Sequence, residues 1–203
     1  MLTNAEQSIL SLARDKGVMR TRDVSAAGQP RSVLAKLVLD GRLSMLGRGL
    51  YALPDRPFSE NGALTEVSIR SERGVICLIS ALRFHTLTTQ QSSEIWLAIP
   101  HKAHSPKFAY PPIRVVRMSG DAMTTGVEER DIAGTRVAVF GVAKTVVDCF
   151  KFRNKVGLDV ALEALHEAWT GRRVTADELW HYATICRVAN VMRPYMEALG
   201  ARP

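Results

Sequence analysis

Glycines at positions 17, 28 and 41, followed by the triplet Gly47-Arg48-Gly49, punctuate the first part of the chain and fix the order of its elements. Residues 3–15 read as a helix. Thr3 and Glu6 have capping-box spacing, in which each side chain satisfies a free amide at the helix start. Ile9, Leu12 and Ala13 then recur on one helical face until Gly17 stops it. Val18-Met19-Arg20 has the length of a bridging strand. Thr21 is expected to cap a second short helix through Asp23, Val24 and Ala27, ended by Gly28. Gln29-Pro30 opens a third, because Pro30 fits the first helical position, where its missing amide costs nothing. Leu34, Leu37 and Val38 give that helix a buried stripe, and Gly41 ends it. Two strands, 42–46 and 50–53, close through Gly47-Arg48-Gly49.

Helix, helix, turn, helix, hairpin is the order of a winged helix-turn-helix. Pro54, Pro57 and Ser59-Glu60-Asn61-Gly62 then read as a linker. Beyond it the pattern changes. Residues 75–87 are apolar and fit either a buried helix or a strand running into one. Glu94–Ile99, Ile113–Met118 and Arg136–Phe140 read as strands, with a basic, proline-rich loop at 101–112. Helices follow, on Ala143, Val146, Val147 and Phe150, then on Leu158, Leu162, Leu165 and Trp169. Thr175 and Glu178 form a second capping box before Leu179, Tyr182, Ala183 and Cys186, and Met192, Tyr195, Met196 and Leu199 close the chain. The fold class is therefore α+β: a winged helix-turn-helix over 1–58 and an α+β domain over 59–203 that ends in a helical bundle.

The net charge of +7 favours an anionic partner. The excess is denser at the N-terminus, where residues 1–58 hold 9 Lys/Arg against 5 Asp/Glu. No apolar run is long enough to cross a membrane. MLTNAEQSIL lacks the basic and apolar regions of a signal peptide. Cys77, Cys149 and Cys186 are an odd set in apolar segments, read as free core thiols of a reducing compartment, so a cytoplasmic location is expected.

The third helix is the natural reader of double-stranded DNA. Gln29, Arg31, Ser32, Ala35 and Lys36 fall opposite its apolar stripe, near the end that a helix-turn-helix inserts into the major groove. Arginine can grip guanine and glutamine can pair with adenine. Lys36 suits a phosphate better than a base. Thr21 and Arg22 start the preceding helix, where free amides and a hydroxyl suit a phosphate. Arg48 at the hairpin tip is a solvated turn residue by itself. In this order of elements it is a wing-tip probe of a phosphate or minor groove.

Catalytic patterns are not found. His166-Glu167 is followed by Thr170 rather than a second histidine, so HExxH is excluded. His101 and His104 have no acidic or thiol companions. No GxxxxGK[ST], GxGxxG or GxSxG occurs, and no metal or cofactor is expected. Glu163, His166 and Glu167 share a solvated helix face, and His85 reads as a hydrogen-bonded core residue. Lys144, Asp148 and Lys151 share another face, which fits a functional constellation or an internal ion pair.

The chain resembles the AbiEi family of antitoxins from bacterial type IV toxin–antitoxin systems, in the version with an N-terminal winged helix. The resemblance is carried by LVLDGRLSMLGRGLYALP, ISALRFHTL, EIWLAIPHK with IRVVRMS, VAVFGVAKTVVDCF and NVMRPYMEAL, in that order. It implies a protein without enzyme activity. The N-terminal domain would bind inverted repeats in its own promoter and repress it, with Arg48 at the wing and Arg31, Ser32 and Lys36 on the reading helix. The second domain would neutralise a nucleotidyltransferase-like toxin, with or without direct contact, and the face around Lys144, Thr145 and Asp148 is the candidate antitoxin surface. Two other readings stay open: a winged-helix nuclease-like enzyme, and a ligand-responsive regulator.

Overall fold

Thr3 and Glu6 do form the capping box at the start of α1 (Asn4–Lys16). The computed structural model describes residues 2–55, 62–107, 111–132 and 134–200. They divide into two units, residues 1–66 with 131–136 and residues 67–130 with 137–203.

In the first unit α1 leads into β1 (Val18–Arg20), α2 (Thr21–Ala26), α3 (Ser32–Leu39), β2 (Ser44–Gly47) and β3 (Leu50–Ala52). The three strands form one antiparallel sheet in the order β1-β3-β2. Ile9, Ala13, Met19, Val24, Leu34, Leu37 and Leu43 make its core. Each helix contributes one or two of these apolar side chains, which is how such short segments stay folded. Two starts differ from expectation. The residue capping α2 is Arg20, because its amide donates to the Asp23 carboxylate at 2.7 Å. Regular helix in α3 begins at Ser32, preceded by a turn in which the Val33 amide donates to the Pro30 carbonyl.

Helix α4 (Gly62–Arg70) takes in Gly62, which the sequence pattern assigns to the linker. The rest of that linker beyond Asp55, including Pro57 and Ser59-Glu60-Asn61, lies outside the described residues. The chain continues with β4 (Val75–Ile76), α5 (Leu78–Phe84), β5 (Ile95–Pro100), β6 (Ile113–Met118), α6 (Asp121–Thr124), β7 (Val127–Ile132) and β8 (Thr135–Phe140), which lie in the second unit except for residues 131–136. The apolar run 75–87 is thus a strand running into a helix. The sheet order is β6-β5-β4-β8-β7, with β4 antiparallel to β5 and parallel to β8, and β5 parallel to β6. Strand β7 has no counterpart in the sequence reading: its VEERDI is charged, and as an edge strand it buries none of its described residues.

Five helices complete this unit: α7 (Val142–Lys151), α8 (Arg153–Val156), α9 (Leu158–Thr170), α10 (Ala176–Ile185) and α11 (Ala189–Ala198). The Thr175–Glu178 capping box starts α10 as expected. Helix α9 buries Val160, Ala161, Ala164, Leu165 and Ala168, while Leu158 stays 37% exposed. Of the expected stripe, Leu165 is buried and Leu162 and Trp169 pack half-buried against the core; the small side chains Ala161, Ala164 and Ala168 fill the rest of the buried face.

Helix α7 is the centre of the bundle, packed by α5, α9, α10 and α11. All residues from Ala143 to Phe150 are buried. This overturns the reading of Lys144, Thr145 and Asp148 as an exposed antitoxin surface. Lys144 is 0% and Asp148 1% exposed, because the face opposite the apolar stripe is covered as well. Each polar group is satisfied internally, as burial demands. Lys144 Nζ donates to Asp148 Oδ2 at 2.5 Å and stands 4.1 Å from the centre of the Phe140 ring. The Cys186 thiol donates to Asp148 Oδ1 at 3.4 Å, and the Thr145 hydroxyl to the Phe140 carbonyl at 2.9 Å. Burial pushes the Asp148 carboxyl upward against the pull of Lys144. The pair is an internal ion pair, the second of the two readings open for it.

His85 is the buried, hydrogen-bonded residue expected. Its Nε2 stands 2.8 Å from the same Phe140 carbonyl. A carbonyl only accepts, so Nε2 carries the hydrogen. The three cysteines are free and buried. Burial raises all three thiols, Cys186 to about 12, which keeps them protonated and unreactive.

Candidate nucleic-acid interface

In the first unit, β2 and β3 are joined by a two-residue turn whose exposed residue is Arg48. Gly49 supplies the positive φ, +73°, that this reversal needs. Its carbonyl is not left to solvent. It accepts the Thr21 amide at 3.0 Å and the Thr21 hydroxyl at 3.4 Å. The wing tip is therefore fastened to the first residue of α2, with Arg48 beside Thr21 and Arg22. The same bonds change what Thr21 offers: its amide is engaged inside the protein.

From Thr21 a string of hydrogen bonds continues across the exposed side of α2. The Ser25 hydroxyl donates to the Thr21 carbonyl at 3.3 Å and accepts from Arg31 Nε at 2.6 Å. Arg31, the residue capping α3, is thereby held against α2, and exposed Ser32 follows it. Arg48, Thr21, Arg22, Arg31 and Ser32 thus stand along one connected edge of the unit. Ser25 is the member that sequence reasoning missed. Its spacing of four from Thr21 on a helix is the signal that points to it.

Gln29 and Lys36 are arranged differently. Gln29 is half-buried and its Nε2 turns back to the Ala27 carbonyl at 3.4 Å. Lys36 Nζ donates to Glu6 Oε1 at 2.7 Å, with the lysine side chain 62% and the glutamate 4% exposed. The other Glu6 oxygen accepts the Thr3 amide at 2.6 Å, so one carboxylate serves the capping box and the ion pair. Lys36 and the Thr3 amide hold the Glu6 carboxyl at about 2. The charge of Lys36 is thus largely met from within. The exposed row of α3 is Ser32, Ala35 and Leu39, the last 87% exposed.

Residues 7–54, which hold this arrangement apart from Thr3 and Glu6, match the family model described as "Transcriptional regulator, AbiEi antitoxin". The segment is thus similar to the AbiEi antitoxin regulators. The match runs from within α1 through β3 and ends before α4. The chain is also similar in fold to the crystal structure of the RV2827C protein from Mycobacterium tuberculosis. The TM-score is 0.58 at 18% identity, over 91% of this chain and 72% of that one. No curated protein matches. The matched segment is set in an α+β chain in which, among the described residues, no helix is long and apolar enough to cross a membrane.

Proposed function

We propose that the protein is a DNA-binding antitoxin and autorepressor: residues 1–58 bind inverted repeats in its own promoter, and residues 59–203 counteract a nucleotidyltransferase-like toxin. The observation that carries the reading is the match of residues 7–54 to a transcriptional-regulator family. The connected edge from Arg48 to Arg31 supports it. Arg48 and Arg22 contact the DNA backbone on either side of the wing, positioning without reading. Arg31, Ser32 and Gln29 lie at the start of α3 and choose the sequence. Lys36, already paired with Glu6, contributes less to phosphate neutralisation than Arg48. The antitoxin role rests on the family, and the protein acts in the cytoplasm.

Fluorescence anisotropy of the full chain tests the DNA half. A promoter fragment with its inverted repeats is compared with a random duplex of equal length at several salt concentrations. Specific binding at least about tenfold tighter is expected. Equal affinity for both duplexes overturns the autorepressor reading. Co-expression tests the other half: the neighbouring gene's product should arrest growth alone and be tolerated with this protein. A product harmless by itself removes the antitoxin role.

A further inference from the structure

A cavity of about 460 Å³ opens within the second unit, between the end of β6, α6, α7 and the end of α10. Three cations line it from three different elements: Arg117 from β6, Lys151 from α7 and Arg187 after α10. Arg117 is spoken for in part, since its guanidinium binds the His101 and Ala103 carbonyls at 2.8 and 2.6 Å and Ser105 Oγ at 3.2 Å. Lys151 Nζ spends one hydrogen on the Cys186 carbonyl at 2.6 Å. Arg187 is exposed; its amide donates to the Thr184 carbonyl at 3.0 Å, while its guanidinium makes no hydrogen bond or ion pair among the described residues. The lining carboxylates are exposed Asp121 and buried Asp148. The charge of Asp148 is answered by Lys144, so the cavity's cations exceed its unanswered anions. Both Asp148 oxygens hold one bond each, which leaves acceptor capacity on a carboxylate facing the cavity.

We propose that this cavity binds a small phosphomonoester whose body carries hydroxyl groups. The phosphate is gripped by Arg187 and Lys151, supported by Arg117, and a hydroxyl donates to Asp148. Cations in a partly enclosed site act through a lower dielectric than water and favour a doubly charged group most. The volume suits a ligand of sugar-phosphate size or somewhat larger. The site lies wholly in the second unit and the proposal does not rest on DNA binding.

Ribose 5-phosphate, ribose and inorganic phosphate are titrated into the full chain by calorimetry, with phosphorus NMR line broadening as a second readout. Ribose 5-phosphate should bind with a Kd of about a millimolar or below, and ribose and phosphate each at least about tenfold more weakly. Arg187→Gly should weaken ribose 5-phosphate binding about tenfold or more while leaving the protein at least as stable, because Arg187 holds a positive φ of 58° that glycine adopts freely. Arg172 occupies the same kind of position after α9, with φ 52°, and does not line the cavity, so Arg172→Gly should bind as the unaltered protein does. Absence of saturable ribose 5-phosphate binding up to about 10 mM overturns the proposal. So does equal weakening in both variants, or no weakening in Arg187→Gly.

Discussion

The backbone amide of Thr21 donates to the carbonyl of Gly49 at 3.0 Å, so the first residue of α2 and the tip of the wing are one structural piece. A Cβ added at Gly49 would stand 3.2 Å from Thr21 Oγ1, on a backbone with φ +73°. Gly49→Ala should therefore cost about 1–2 kcal/mol in urea unfolding. It should also loosen DNA binding although it removes no charge, and unchanged affinity would separate the wing from the interface.

Arg48→Ala should weaken binding to specific and random duplexes about equally and flatten the log-affinity against log-salt slope by about one. Lys36→Ala should change that slope by much less, since Glu6 already neutralises the lysine. A Lys36 effect as large as that of Arg48 would show that the pair opens on DNA.

Arg31→Ala should reduce preference at one base position of the operator, by about 1–3 kcal/mol. Ser25→Ala, which removes the hydroxyl holding the guanidinium at 2.6 Å, should reduce preference at the same position by a smaller amount. Binding measured on a set of single-base operator variants reads both. If Arg31→Ala lowers affinity evenly across that set, the arginine is a backbone contact and not a reader.

Glu6 should make stability fall in acid. Its folded-state carboxyl lies at about 2 against an ordinary 4.5, so its contribution is complete above 4.5 and drains away as pH falls towards 2. His85 adds a second slope nearer neutrality. Burial lowers its folded-state value, so the unfolded chain takes up the proton first and stability declines as pH drops below 6.5. Urea midpoints between pH 8 and 3 should show both slopes. Glu6→Gln should flatten the lower one and His85→Gln the upper one.

The buried pair of α7 should behave as a unit. Asp148→Ala or Lys144→Met alone leaves one uncompensated charge in the core and should cost about 3–5 kcal/mol. Replacing both with apolar side chains should cost less than the sum of the single changes, by about 1 kcal/mol or more. Strict additivity in the cycle would mean that the two groups do not interact.

The first unit was readable in the sequence because its information is local. The Thr3–Glu6 capping box, the Leu34/Leu37 stripe and the Gly47-Arg48-Gly49 turn each depend on residues a few positions apart. What lay beyond reach depends on long-range partners. Glu6 meets Lys36 across thirty residues, and the direction of Lys36 cannot be told from its own helix. Thr21 suits a cap locally, but Arg20 caps α2 through Asp23 and the Thr21 hydroxyl turns to the Gly49 carbonyl. In α7 the apolar face was legible, but its polar face is buried by other elements, by Phe140 of β8 beside Lys144 and by Cys186 at the end of α10 beside Asp148. Strand β7 carries charges because it is an edge, and edge position is a property of the sheet rather than of the segment.

The centrality of α7 has a consequence for how the chain is made. The helix leaves the ribosome before α10 and α11, and therefore before Cys186, the thiol that completes the environment of Asp148. Until those later helices dock, Lys144 and Asp148 remain in water, where their separate hydration competes with pairing. The second unit thus cannot complete the burial of α7 until α10 and α11 have been made.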